Sequence, residues 1–137
     1  MRHMKLVFLL PLVLIQQAYA DIAVIVHPEN KSVINQDMIQ NLFMGRSHHF
    51  SNGSEATPVN QQDNSSVRKE FELKALGRAD YQMKQYWSKL IFTGKAVPPA
   101  ILNNDQDIIE FVSEHKDAIG YINAQTSSQG VKIIKVY

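Results

Sequence analysis

Apolar residues fall along this chain either in continuous runs or in helically spaced stripes, with short polar breaks between them. After an apolar leading segment, "DIAVIVHP" (Asp21 to Pro28) is continuous and β-branched, which predicts a buried strand stopped by Pro28. In "NQDMIQNLFMG", Met38, Ile39, Leu42 and Phe43 share one face of a helix that Asn35 or Asp37 caps and Gly45 ends. "RSHHFSNGSEAT" is a polar connection around the turn pair Asn52-Gly53, and "ATPVN" is a short extended piece. A helix from about Val67 to Leu76 follows, with Val67, Phe71 and Ala75 at four-residue spacing, and stops at Gly77. Asp80 is placed to cap the next helix, striped by Met83, Trp87, Leu90 and Ile91. Gly94 and the pair Pro98-Pro99 then break the chain. "NDQDIIEFVSEH" makes a last helix with Ile108, Ile109 and Val112 inward, and "DAIGYIN" and "GVKIIKVY" close as two strands. Strands alternating with helices predict an α/β fold around a small sheet.

The leading segment changes how the composition is read. "MRHMKLVFLLPLVLIQQAYA" has Arg2 and Lys5, an apolar run from Leu6 to Ile15, and Ala18-Tyr19-Ala20, the pattern of a secretory signal cut before Asp21. The run is roughly half of the ~20 residues that span a bilayer. Residues 1–20 are therefore expected to be a signal peptide and 21–137 one domain in the periplasm. The full chain holds 14 basic and 13 acidic side chains, and losing Arg2 and Lys5 leaves one acid in excess. No basic patch is concentrated anywhere, so nucleic acid is not an expected partner. The chain has no cysteine, which excludes disulfides, thiolate metal sites and cysteine nucleophiles.

The densest polar block is "QQDNSS", Gln61 to Ser66, set directly before a helix with Arg68 in its first turn. A helix start exposes amide donors and about half a positive charge, which suits an anion. Ser65, Ser66 and Asn64 add donors and Arg68 a full charge. With Ser66 as cap, the capping-box position is Lys69, so no acid of the chain stands there to fill the free amides. Asp63 would orient Arg68 or accept a ligand proton. The same residues also fit ordinary capping, with Arg68 pairing to Glu72 one turn on.

The order of these motifs resembles the periplasmic phosphate-binding proteins of ABC transporters. The match consists of Phe43 and Gly45 at a helix end, and Phe50 where that family usually has tryptophan. Then come Thr57-Pro58-Val59 leading into Asp63-Asn64-Ser65, and Phe71 six residues after that serine. "DAIGYI", Asp117 to Ile122, is similar to the family's Gly-x-Ile-Gly-Tyr strand. "YWSKLIFTGKAVPP", Tyr86 to Pro99, resembles a shorter branch that holds one lobe instead of two. The resemblance spans about residues 22 to 135 and implies one lobe of a type-2 periplasmic-binding-protein fold, a mixed sheet flanked by helices. It implies oxyanion binding by Ser65 and Asp63, with Ser66 and Val67 where the family has Gly and Thr. The family's arginine position is Gln61, which has no charged fork, so Arg68 would substitute from the helix.

Other constellations are weaker. His27, His48, His49 and His115 match no zinc spacing, and a solvated loop pair is expected for His48-His49. No nucleophile elbow surrounds Ser65 or Ser66. The expectation is thus a non-enzymatic module with no catalytic residue, metal or cofactor, holding phosphate or a similar oxyanion through Ser65, Ser66, Asp63, Arg68 and the amides of Val67 and Arg68. Arg46, after Gly45, would be a second cation. A membrane transporter or sensor would receive the ligand. The alternative expectation is an accessory domain of the cell envelope that kept the fold without a ligand, docking onto another protein or pairing with itself.

Overall fold

The computed structural model describes residues 2–14 and 21–137. Residues 2–14 are exposed and form neither helix nor strand, and the expected cleavage motif Ala18-Tyr19-Ala20 lies outside the described residues. In chain order the elements are β1 (Ile22–Val26), α1 (Gln36–Phe43), β2 (Thr57–Gln61), α2 (Ser66–Ala75), α3 (Asp80–Phe92), β3 (Ala100–Leu102), α4 (Asp105–Glu114), β4 (Ala118–Asn123) and β5 (Lys132–Val136). The expected α/β class is observed, as a mixed sheet of order β3-β2-β4-β1-β5. β2 runs parallel to β3 and β4, whereas β1 is antiparallel to both of its neighbours, β4 and β5.

The unbroken apolar run of β1 follows from its place. Ile22, Val24 and Val26 pack with α1, α2 and α3 on one face, while Ala23 and Ile25 pack toward α4 on the other. Successive strand side chains point to opposite faces, so a strand covered on both sides needs an apolar residue at every position. β4 divides the same way, Ile119 and Tyr121 to the first face, Ala118 and Ile122 to the second. On the three-helix face Phe43, Phe71 and Tyr121 form the aromatic centre, with Phe71 stacked on Tyr121 at 3.9 Å and Phe43 edge-on to Phe71 at 4.8 Å.

Helix ends follow the local chemistry with two corrections. Asn35 caps α1 by accepting from the Met38 amide, and Gly45, at φ 70°, lets the Arg46 amide return to the Asn41 carbonyl at 2.8 Å. Ser65, not Ser66, caps α2, and Ser66 is its first helical residue. α3 is entered from Ala79, whose amide is held by the Gln82 side chain at 2.9 Å, so Asp80 lies inside the helix and does not cap it. Within the expected stripe of α3, Met83 and Trp87 are buried but Ile91 is more than half exposed. β3 was not expected at all, and the two closing strands are not neighbours, because β1 inserts between them.

Gly120 lies in β4 on the α4 side. A β-carbon there would meet Ile108 Cγ2 at 2.8 Å and Val59 Cγ2 at 3.1 Å, both well packed. Gly120→Ala is expected to destabilise the fold by about 1–3 kcal/mol through overpacking, read as a lower urea midpoint with an unchanged slope.

Candidate functional site

α2 and α4 both begin at the same rim of the sheet, where β2, β3 and β4 end. Between them lies a broad, open cleft of about 620 Å³. One wall is Gln61, Gln62, Asn64, Ser65, Ser66 and Val67; the other is Asn103 to Gln106, with Asn123 and Thr126 beside it. Each helix is capped by its own chain. Ser65 Oγ accepts from the Arg68 amide at 3.2 Å, and Asn104 Oδ1 accepts from the Asp107 amide at 2.9 Å. Among the described residues the amides of Ser66 and Val67 have no intramolecular hydrogen-bond partner, as expected for the first two positions of a helix.

Gln61 joins the two walls. It is 2% exposed, and its side-chain amide donates to Asp105 Oδ1 at 2.6 Å and to the Tyr121 carbonyl at 3.1 Å. Its Oε1 accepts from Ser65 Oγ at 3.2 Å, its own amide donates to the Tyr121 hydroxyl, and its carbonyl accepts from Arg68. Tyr121 passes the chain on to Asn60 Oδ1 at 2.7 Å, and burial pushes the phenol's pKa well above its ordinary value. Asp105 is held by the Asn123 amide and the Thr126 hydroxyl on its second oxygen. Among the described residues it is the one ionisable side chain lining the cleft.

The five residues expected to bind a ligand are thus divided by α2. Ser65, Ser66 and Val67 line the cleft; Asp63 and Arg68 line a different pocket between α2 and α3. Arg68 is 9% exposed and turns inward. Its Nη1 donates to the Gln61 carbonyl at 2.9 Å and meets Asp63 at 2.8 Å, and its Nε lies 3.5 Å from Glu72. Glu72 is buried and one helical turn away, so it draws the guanidinium along the helix and away from the cleft. Burial raises the pKa of Glu72, opposed by the attraction of Arg68. Arg46 is exposed beyond α1 and lines neither space.

Sequence reasoning missed Asp105, Asn123 and Thr126. The signal was present for one of them: "NND", Asn103 to Asp105, is a second cap-rich run before an apolar-striped helix. The histidines take local roles. His27 Nδ1 accepts from the Glu29 amide, and His115 stacks on Phe111 with Nδ1 2.8 Å from the Phe111 carbonyl. Among the described residues no group of three or more His, Asp or Glu is placed to hold a metal ion.

No protein-family model and no curated protein matches the sequence. Solved structures match its fold. An ABC-type phosphate transport receptor from Vibrio cholerae superposes with a TM-score of 0.62 at 17% identity, over 85% of this chain and 47% of its own. A Clostridium perfringens protein described as a phosphate ABC transporter substrate-binding protein, solved with bound phosphate, gives 0.64 at 20% identity over 85% and 46%. PstS from Borrelia burgdorferi gives 0.57 at 15% identity over 85% and 47%. The chain spans less than half the length of each. At these identities the likeness is one of fold: the chain folds like one lobe, about half, of each of these structures.

Removing the guanidinium leaves Glu72 buried without a counter-charge. Arg68→Ala is expected to cost about 3 kcal/mol at pH 7. The native pKa of Glu72 already lies above its unfolded value and rises further in the variant. Between those values the folded state holds more protons than the unfolded, so stability falls as pH rises. Urea unfolding at pH 5 and pH 7.5 should therefore show a smaller deficit at pH 5.

Proposed function

We propose that this chain is an exported, non-enzymatic binding module that holds phosphate or a similar oxyanion in the cleft at the start of α2. The observation that carries this reading is the pair of unpartnered amides, Ser66 and Val67, with the exposed Ser66 hydroxyl beside them on an open polar cleft. The resemblance to phosphate-binding proteins assigns the ligand to Ser65, Asp63 and the amides that open this helix; Ser65 and the amides lie on the cleft while Asp63 does not, and the fold neighbours include a protein solved with bound phosphate. The signal-like residues 1–20 and the neighbours' role as transport receptors support export of residues 21–137 as one domain, with a membrane transporter or sensor as recipient.

The geometry sets the strength. Arg68 is committed to Asp63, Glu72 and the Gln61 carbonyl, so binding rests on the Ser66 and Val67 amides, the Ser66 hydroxyl and neutral side chains of the cleft such as Asn64. An open site with no cation and with Asp105 nearby gives an affinity in the range of about micromolar to millimolar. The same facts favour one other reading, an envelope accessory domain that works without a ligand, because Gln61 and Arg68 are already satisfied by the chain itself.

Ser66→Pro separates the two readings. Proline is tolerated at the first helical position, and Ser65 already has the extended ψ of 128° that a following proline requires. The substitution removes one amide and one hydroxyl while keeping the helix. Isothermal titration with phosphate and sulfate should give heat with the wild type and at least tenfold weaker binding in Ser66→Pro, at a similar melting temperature. No heat from the wild type overturns the anion reading.

A further inference from the structure

Between Asp80 and Asp105 the chain carries Lys84, Lys89 and Lys95 and no acid, although acids outnumber bases over residues 21–137 as a whole. Lys84 faces Asp80 one turn back on α3 at 4.0 Å. Lys89 and Lys95 are exposed and pair with no acid among the described residues. They are too few for a nucleic-acid surface, but they alternate with the most exposed apolar side chains of residues 21–137, Phe92 at 92% and Val97 at 83%, and with Ile91, more than half exposed. This display is built into an ordered turn. The Gly94 and Lys95 amides donate to the Ile91 and Leu90 carbonyls at 3.1 and 2.9 Å, which closes the end of α3. Ala96 packs on the core while Lys95 and Val97 on either side of it are exposed, and Pro98-Pro99 stiffen the exit.

Apolar tips set among unpaired lysines, with no carboxylate in the same stretch, complement an apolar layer lying under negative headgroups. We propose that the end of α3 and the turn after it rest on a lipid bilayer that contains anionic lipids. Ile91, Phe92 and Val97 enter the acyl boundary, and Lys89 and Lys95 reach the headgroup phosphates above them. The contact is with the surface, since the 13 residues of α3 fall short of the ~20 that span a bilayer. The carboxylates of the pocket that Ile91 lines, Asp63, Glu72 and Asp80, do not oppose it, because each is paired with Arg68 or Lys84. A side chain almost fully exposed stands proud of the surface. A rigid partner meets it only through a matching hole, whereas a fluid bilayer closes around it. Two copies joined about this end would set Lys89 and Lys95 against their own equivalents, so charge opposes a dimer here.

No residue of α3 lines the anion cleft, so the test of this surface does not depend on that reading. Every helix and strand described lies within residues 21–137, and that chain is the one to use, because the exposed apolar leader would bind lipid by itself. In cosedimentation at low salt it should partition at least tenfold more strongly onto vesicles of equal phosphatidylglycerol and phosphatidylcholine than onto phosphatidylcholine alone. Raising the salt to about 0.5 M should weaken that partition. Phe92→Ser with Val97→Ser, and separately Lys89→Glu with Lys95→Glu, should each lower it at least tenfold at an unchanged melting temperature, since all four side chains are exposed. The proposal is overturned if the wild type stays in solution with anionic vesicles, if neutral vesicles bind it as well, or if either double variant binds unchanged. A wild-type dimer in light scattering that Phe92→Ser with Val97→Ser dissociates also overturns it, in favour of a second copy.

Discussion

Every polar atom of Gln61 is used. Its amide, its carbonyl, both side-chain N–H groups and its Oε1 are bonded to Tyr121, Arg68, Asp105 and Ser65, which lie on β4, α2, α4 and the α2 cap. A buried carboxamide with all its bonds made is stable; with one missing it costs about 1–3 kcal/mol. The starts of α2 and α4 are therefore fixed relative to each other by one side chain at the end of β2. The width of the cleft and the inward set of Arg68 both follow from that knot. Where the resemblance to phosphate-binding proteins puts a charged fork, this chain has a structural tie.

The consequence is a partition of charge. α2 divides an amide-rich cleft, with Asp105 on its far wall, from an apolar-floored groove where Asp63 and Glu72 pair with Arg68 and Asp80 with Lys84. Anion attraction in the cleft is left to peptide dipoles, which act at short range and need close contact. The groove keeps the ion pairs, and there Glu72 is held against its unfavourable burial by Arg68.

Much of the fold was legible in the sequence because its signals are local. The unbroken β-branched run gave β1, the Asn35 cap and Gly45 bounded α1, and the four-residue spacing of Val67, Phe71 and Ala75 gave α2. β3 escaped because its three residues follow Pro98-Pro99 with no alternation to read. The separation of β4 from β5 escaped because strand order is set by which strand must be covered on both faces, a property of the whole sheet. The site divided along the same line. Donors at a helix start are written in adjacent residues, so Ser65, Ser66 and Val67 could be placed together on a cleft wall. The direction of Arg68 depends on the burial of Glu72 and on a carbonyl seven residues back, and spacing alone favoured neither side.

The position of β1 has a bearing on how the lobe assembles. Its partners are the last two strands, with Ile22 beside Asn123 and Ala23 beside Val136. The centre of the sheet is thus made from opposite ends of the sequence, a high-contact-order topology that must close a long loop before its best-buried strand gains anything. Among the strands of this sheet β1 comes first along the chain and its two neighbours come last. Until both are in place β1 can pack against the helices but has no strand to pair with, so the backbone bonds at the heart of the lobe form last.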